Sequence, residues 1–303
     1  MTKKLLLLIK LIRYRFLLFA GILPFILGAA VAFHFTKIFY LSYFLIALAG
    51  LILVLIGVET FNEYFDFKIG TDRVFLESYE EVPKSTFTIG IFAFALAFII
   101  ALYLTLSRGW QVMLFSLLGF LAAAFYVGPP IKLAYRGLGE LVICIAYGPL
   151  MTTGSYYVQT QKIDSNPIIA SLVPCFFILA LTLINEIPDY YGDRLVGKRN
   201  IVVRVGREKA ITLYHIILLF CYTLIALGII LKKLPILSLI IFITLPLAYK
   251  NILIAKKHYD YPQSFIPAIR GTIFLYTVAV SLLIISYFLT TPKFSLVISN
   301  FFR

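Results

Sequence analysis

Apolar runs of bilayer-spanning length recur along this chain, and the short segments between them carry nearly all of its charge. A helix needs about 20 such residues to cross the hydrocarbon core. Within that core no water is available to backbone N–H and C=O groups, so each run is expected to be helical. Nine stretches are long enough, near 17–36, 41–62, 87–106, 110–127, 138–158, 167–188, 211–231, 234–250 and 268–290. Composition agrees: 61% of residues are hydrophobic and 14% charged, whereas soluble domains carry about 25% charged residues. The expectation is an all-α polytopic membrane protein, a single domain over 1–303.

The net charge of +13 raises the question of a nucleic-acid partner. The basic residues lie between the spans, however, where topology accounts for them. With the N terminus inside, the inside segments hold 20 of the 27 Lys and Arg. Of the acidic residues, only Asp164 falls clearly outside, so charges of both signs gather at one membrane face. Residues 1–16 combine Lys3, Lys4, Lys10, Arg13 and Arg15 with leucine and isoleucine. Lys10 interrupts the first apolar run and no small-residue cleavage site follows, which favours a basic amphipathic helix on the membrane surface over a signal peptide. Cys144, Cys175 and Cys221 are far apart in apolar runs and are expected as inert thiols. His34, His215 and His258 are too scattered for a histidine metal site.

Two inside connections are long and polar, 67–86 and 190–210, and each directly follows an acidic motif. The first is Asn62-Glu63-x-x-Asp66, with Asp72 beyond Gly70 and Glu59 on the same helical face. The second runs from Asn185 through Glu186, Pro188 and Asp189 to Asp193. Were the helix to continue through it, Asn185, Asp189 and Asp193 would stack on one face. A lone Asp-x-x-x-Asp at a membrane edge reads as a solvated helix end. A second copy with the same Asn-Glu prefix, at the same face, points to function. Hard oxygen ligands without cysteine or histidine suit Mg²⁺, which takes one or two carboxylates and completes its shell with water and phosphate. Two facing clusters are what a diphosphate held through two or more Mg²⁺ ions requires. Lys132 and Arg136, four apart after the Gly128-Pro129-Pro130 break, either fix topology or neutralise phosphate oxygens. The same two readings apply to Lys198, Arg199 and Arg204.

These residues together resemble the UbiA superfamily of intramembrane prenyltransferases, over nearly the whole chain. Asn62 to Asp72, Tyr126 to Glu140, Gly148 to Gln159 and Asp189 to Arg199 are most similar to the menaquinone-branch members, the 1,4-dihydroxy-2-naphthoate prenyltransferases. Departures are Glu63 after Asn62 and the absence of a basic-proline pattern after Asp72. The resemblance implies nine helices around a central cavity capped by the two long inside loops. It implies Mg²⁺-dependent transfer of a prenyl group from an allylic diphosphate to an aromatic acceptor in quinone biosynthesis, with diphosphate released. Carried over by matching position, Asn62, Asp66, Asp72, Asn185, Asp189 and Asp193 hold the Mg²⁺–diphosphate. Lys132 and Arg136 neutralise the leaving group, with Lys198 or Arg199 as further candidates, and Tyr126 and Tyr135 orient acceptor or diphosphate.

The implied location is the plasma membrane, multi-pass, with the site toward the cytoplasm, lipid as partner and no nucleic acid. The same chemistry on another acceptor stays open: 4-hydroxybenzoate, geranylgeranylglyceryl phosphate, or a haem or chlorophyll precursor. A divalent-cation transporter is the alternative of a different class, although transporters place such charges near the bilayer midplane.

Overall fold

The structure, a computed structural model, describes residues 15–69 and 84–291. The amphipathic segment expected at 1–16 falls outside them except for its last two residues, and Asp72 and most of the 67–86 connection lie outside too. The described residues are helical: α1 (Arg15–Thr36), α2 (Leu41–Ile69), α3 (Lys84–Arg108), α4 (Gln111–Val127), α5 (Gly139–Thr160), α6 (Ser165–Glu186), short α7 (Tyr190–Leu195) and α8 (Ile201–Val205), α9 (Arg207–Ile230), α10 (Leu245–His258, preceded by a 3₁₀ stretch Ile236–Thr244) and α11 (Pro262–Leu289). Seven helical segments are long and apolar enough to cross a membrane, and two shorter apolar helices, Ala20–Thr36 and Gln111–Val127, accompany them.

Local chemistry explains where the helices stop. Gly109, at φ +119, turns the chain between α3 and α4, a conformation that a Cβ would oppose. Asp164 caps α6 by accepting from the Asn166 N–H at 3.1 Å. Gly197, at φ +76, closes α7 with Lys198 N–H donating back to Asp193 O at 2.9 Å, the six-to-one closure of a helix end. Asn200 then caps α8, its Oδ1 accepting from Val203 N–H at 2.7 Å.

Two hydrophobic cores result, and α1 and α5 contribute to both. The larger joins them to α6, α9, α10 and α11, with Tyr214, Tyr276, Tyr287, Phe177 and Phe265 fully buried. The smaller gathers Phe25, Ala47, Leu104, Val112, Tyr157 and Val158 from α1 to α5. Helix α5 is the spine, and glycine lets its neighbours approach. A Cβ on Gly28 of α1 would lie 2.1 Å from the Thr152 carbonyl oxygen, and one on Gly148 of α5 would lie 2.5 Å from Cys175 Cβ. Small residues at such crossings are the usual basis of tight helix packing in membranes.

At the end of α3, Arg108 is buried. It donates to the carbonyls of Val158 (2.8 Å) and Gln159 (3.0 Å) and lies over the Tyr40 and Tyr43 rings at 4.8 and 4.7 Å. Gln159 answers by pairing with both backbone groups of Tyr40. This lattice seals the end of the α1–α5 group remote from the acidic motifs.

Three expectations change. The second motif is not one continuous helix: α6 ends at Glu186 and α7 starts at Tyr190. Pro188 has no N–H to give, and its ring conflicts with the carbonyl four residues back. Asn185 and Asp193 therefore do not share a helical face. The 190–210 connection is not an open loop, because the caps described above fold it into α7 and α8. Finally, Cys144 of α5 and Cys175 of α6 are joined in a disulfide, Cα atoms 4.6 Å apart. Sequence separation hid a pairing that the α5–α6 crossing creates; Cys221 is free and buried.

The close approach at Gly28 yields a test. Gly28→Ala must push α1 off the rigid α5 backbone, and an overpacking cost of about 1–3 kcal/mol is expected. A lowered melting temperature in detergent checks it, whereas Gly154→Ala, whose Cβ meets only Phe115 ring and Cβ atoms at 3.6 Å or more, should leave stability nearly unchanged.

Candidate active site

Between α1, α2, α3, α4 and α5 lies a cavity of about 750 Å³. Its wall is apolar for most of its surface, with Leu51, Leu55, Phe94, Leu104 and Met151 typical of the lining. Helix α4 contributes small residues, Ser116, Gly119, Ala122 and Ala123, which leave room where a larger side chain would fill it. The cavity is lined from α1 to α5. Of the candidate residues, it brings in Asn62 and Tyr126. Asn62 Oδ1 is buried with no hydrogen-bond partner among the described residues. An orphaned buried acceptor costs about 1–3 kcal/mol, so its presence at a cavity wall is a mark of ligand binding.

A π-helical turn, Ala146–Leu150, interrupts α5 at Pro149 and lines the same cavity with Ala146, Tyr147 and Leu150. Such turns widen a helix by one residue and are frequent at functional sites. Tyr147 is not marked by any motif in the sequence; Pro149, two residues on, is the one local signal of the irregular turn that carries it.

The other candidates are placed around this cavity rather than in it. Asp66 falls within α2, one turn beyond Asn62. Asn185 is half-buried near the end of α6, and Asp189 is exposed at the start of α7. Neither lines the cavity. Asp193 is 2% exposed and already engaged. Its Oδ2 accepts from Asn200 Nδ2 at 2.7 Å and pairs with Lys198 Nζ at 3.2 Å, while Oδ1 also accepts from Lys198 at 3.3 Å. Burial raises the Asp193 carboxyl above its ordinary pKa, against the pull of Lys198 and Asn200. Asp193 thus braces the connection internally.

Next to it sits a feature the motifs did not reveal. Glu140, at the start of α5, is fully buried and accepts from the Ile201 N–H. Glu186, also buried, lies close to it. One oxygen of each, Oε2 in both cases, has no partner among the described residues. Glu186 was visible in sequence as part of the Asn-Glu prefix, but its partner, 46 positions upstream, was not.

These contacts dock the α4–α5 connection against the α6–α9 connection. Arg199 N–H donates to Tyr135 O at 3.2 Å, and Arg204 donates to Arg199 O (2.8 Å) and Arg136 O (2.6 Å). Lys132, held at φ +52, sets its ammonium over the Tyr135 ring at 5.6 Å. The candidate cations Lys132, Arg136, Lys198 and Arg199 therefore belong to one lobe. On its other side, Arg207 packs over Tyr190, Tyr191 and Tyr259 and pairs with Asp260 at 2.6 Å. Helix α7, only six residues long, is held from both sides.

A transmembrane bundle, an apolar cavity with an orphaned amide at its wall and a lobe of mixed charges beyond it match a known family. The model of the UbiA prenyltransferase family aligns with residues 22–278. The chain belongs to that family. Among curated relatives, a 1,4-dihydroxy-2-naphthoate octaprenyltransferase of Bacillus subtilis is 28% identical over 201 residues, 64% of each chain. A 2-carboxy-1,4-naphthoquinone phytyltransferase of Synechocystis is 27% identical over 254 residues, 80% of each. The first match thus spans a little under two thirds of that relative. Of solved structures, a UbiA homolog from Aeropyrum pernix K1 superposes with a TM-score of 0.62 at 14% identity, covering 91% of this chain and 98% of that one. A digeranylgeranylglyceryl phosphate synthase gives 0.59 at 17%, covering 96% and 99%. Both establish the fold.

UbiA enzymes generally use Mg²⁺. Among the described residues no three His, Cys, Asp or Glu side chains converge as a ready-made metal cage. Mg²⁺ does not need one, since it keeps several waters and binds through one or two carboxylates plus substrate phosphates. The orphaned Asn62 Oδ1 and the carboxylates of Asp189 and Asp193 are oxygen donors of that kind, and Asp193 also braces the connection through Lys198 and Asn200.

The Asp193 arrangement makes a prediction. Asn200→Ala removes both the amide that holds Asp193 and the cap of α8, at a cost of about 1–3 kcal/mol. Hydrogen exchange should then quicken across 190–205 while α1 to α4 stay protected.

Proposed function

We propose that this chain transfers a prenyl group from an allylic prenyl diphosphate to an aromatic acceptor, releasing diphosphate, in the manner of the naphthoate prenyltransferases it resembles. The observation that carries the reading is the apolar cavity with Asn62 Oδ1 unpartnered on its wall. An isoprenoid tail has no hydrogen-bonding groups and needs such a wall; its diphosphate needs hard oxygen ligands and cations at one end. The one-domain, nine-span reading with an inward N terminus, a plasma-membrane location and a cytoplasmic site belongs to the same proposal. It is supported by α1 and α4 as short apolar helices beside the seven longer spans and by the inward bias of Lys and Arg.

Asn62, Asp66, Asp72, Asn185, Asp189 and Asp193 are the residues that would hold Mg²⁺, Asp193 also keeping its neighbours' support in place. Bound there, Mg²⁺ supplies neutralisation of the diphosphate oxygens as charge develops on them. Lys132, Arg136, Lys198 and Arg199 draw the anion to the same lobe and stabilise it as a leaving group. Tyr126, on the cavity wall, orients the reacting end. The apolar wall of the cavity would keep water from the allylic cation.

Purified protein given an allylic prenyl diphosphate and 1,4-dihydroxy-2-naphthoate should release diphosphate, stop on chelation by EDTA and recover with Mg²⁺. Asp189→Ala and Asn62→Ala are each expected to lower turnover about a hundredfold or more, with the folded fraction unchanged. Native-level turnover in both variants would remove the assignment.

A further inference from the structure

The second acidic motif stands on supports too short to hold a place of their own. Helix α7 has six residues and α8 five, well under the length of about 12 below which isolated helices are marginal. Bonds among Asp193, Lys198, Asn200 and Val203 fold residues 190–205 onto themselves. They do not fix where that fold stands against the cavity. Bonds to the α4–α5 connection do. Glu140, in the first turn of α5 and fully buried, accepts from the Ile201 N–H with Oε1. That N–H is one of those a helix start leaves without an internal partner. Arg204 donates through Nε to Arg199 O at 2.8 Å and through Nη2 to Arg136 O at 2.6 Å. Two of its donors are thereby committed to backbone carbonyls rather than to an anion.

The run Gly137-Leu138-Gly139-Glu140 is shaped to receive these contacts. Gly137 lies at φ +73, and a Cβ there would come within 2.5 Å of Arg204 Nε and 2.9 Å of Arg199 O. A side chain at that position would lever the lobe away. Gly139 makes room in the other direction, since its Cβ would meet the Tyr126 ring at 3.2 Å, and Tyr126 lines the cavity. Val142 and Ile143, just past Glu140 on α5, line it as well. One short run therefore touches the cavity wall on one side and the second-motif lobe on the other.

We propose that Glu140 and Arg204 are positioning residues for prenyl transfer: they hold the second acidic motif in register with the cavity and touch no substrate themselves. The proposal rests on the reading above, in which Asp189 and Asp193 hold Mg²⁺ on the donor diphosphate. In its bond to Ile201 the Glu140 carboxyl acts as an acceptor, and a glutamine amide oxygen can take its place. The role therefore needs the oxygen and not the charge. Loss of either residue's bonds lets the lobe shift while the cavity keeps its shape. The diphosphate end of the donor then loses its fit, and the acceptor end does not.

Glu140→Ala and Arg204→Ala are each expected to raise the donor KM and the Mg²⁺ concentration for half-maximal rate about tenfold. KM for 1,4-dihydroxy-2-naphthoate should stay unchanged, and Glu140→Gln should keep native values throughout. None of these constants depends on how much of the protein is folded, so a merely structural loss would not move them. Thermal melts with inorganic diphosphate and Mg²⁺ give a readout apart from turnover. The two together should stabilise native protein and Glu140→Gln alike, and both alanine variants less. Native donor and Mg²⁺ constants in the alanine variants overturn the proposal, as does a rise in acceptor KM that matches the rise in donor KM. Glu140→Gln as impaired as Glu140→Ala overturns it too, because the carboxylate then acts through its charge. If Glu140→Ala does not fold, Arg204→Ala, which replaces an exposed side chain, decides between these outcomes. Native protein that neither binds Mg²⁺ with diphosphate nor turns over the donor fails the prenyl-transfer reading itself, and this one with it.

Discussion

The close packing of α5 is the constraint on which the rest of the molecule depends. In a bilayer the hydrophobic effect does not press helices together, because lipid tails are as apolar as leucine. Contact must come from shape. Gly28 lets α1 onto α5 from one direction, and Gly148 lets α6 on from another. With those two faces taken, α5 turns its remaining face toward α4, whose Ser116, Gly119, Ala122 and Ala123 cannot reach across. The cavity follows from that mismatch, since tight packing on one side fixes the frame that small residues then fail to fill.

The π turn links this packing to chemistry. Pro149 denies the α-helical hydrogen bond, and the backbone adapts by widening. The widening sits where Gly148 meets Cys175 on one side and Tyr147 faces the cavity on the other. One local irregularity thus serves both the α5–α6 crossing and the delivery of a phenolic hydroxyl into apolar space. An orphaned buried polar group costs about 1–3 kcal/mol, and Asn62 Oδ1, Ser155 Oγ and Thr152 Oγ1 add to the orphans around the same cavity and its α1 side. Lost stability of that size in one place is the signature of a site shaped for a ligand rather than for folding alone.

The spans and both acidic motifs were legible because their signals are local: apolar length, Pro188, the Gly128-Pro129-Pro130 break. What was not legible depends on residues distant in sequence. Arg108 reads as an outside-loop charge until Tyr40, Tyr43 and the carbonyls of Val158 and Gln159 surround it. Cys144 and Cys175 read as idle thiols until α5 and α6 cross. Asp193 reads as a metal ligand at the right spacing from Asp189, and only the return of the chain at Lys198 and Asn200 shows that its oxygens also hold the connection together. Spacing identifies residues able to do the chemistry; it does not say which of them the fold leaves free.

That distinction bears on how two unlike supports present one site. The first motif rides on α2, a continuous 29-residue helix whose direction is fixed by its packing along α3. The second rides on α7, six residues long, too short to be stable alone, since isolated helices below about 12 residues are marginal. Its position must come from bracing: Asp193 with Lys198 and Asn200 on one side, Arg207 among Tyr190, Tyr191 and Tyr259 on the other. Asp189, at the start of α7, is exposed while its neighbours are fastened. The bracing gives Asp189 a fixed place at the surface, and the Asp193–Lys198 ion pair is the centre of that brace.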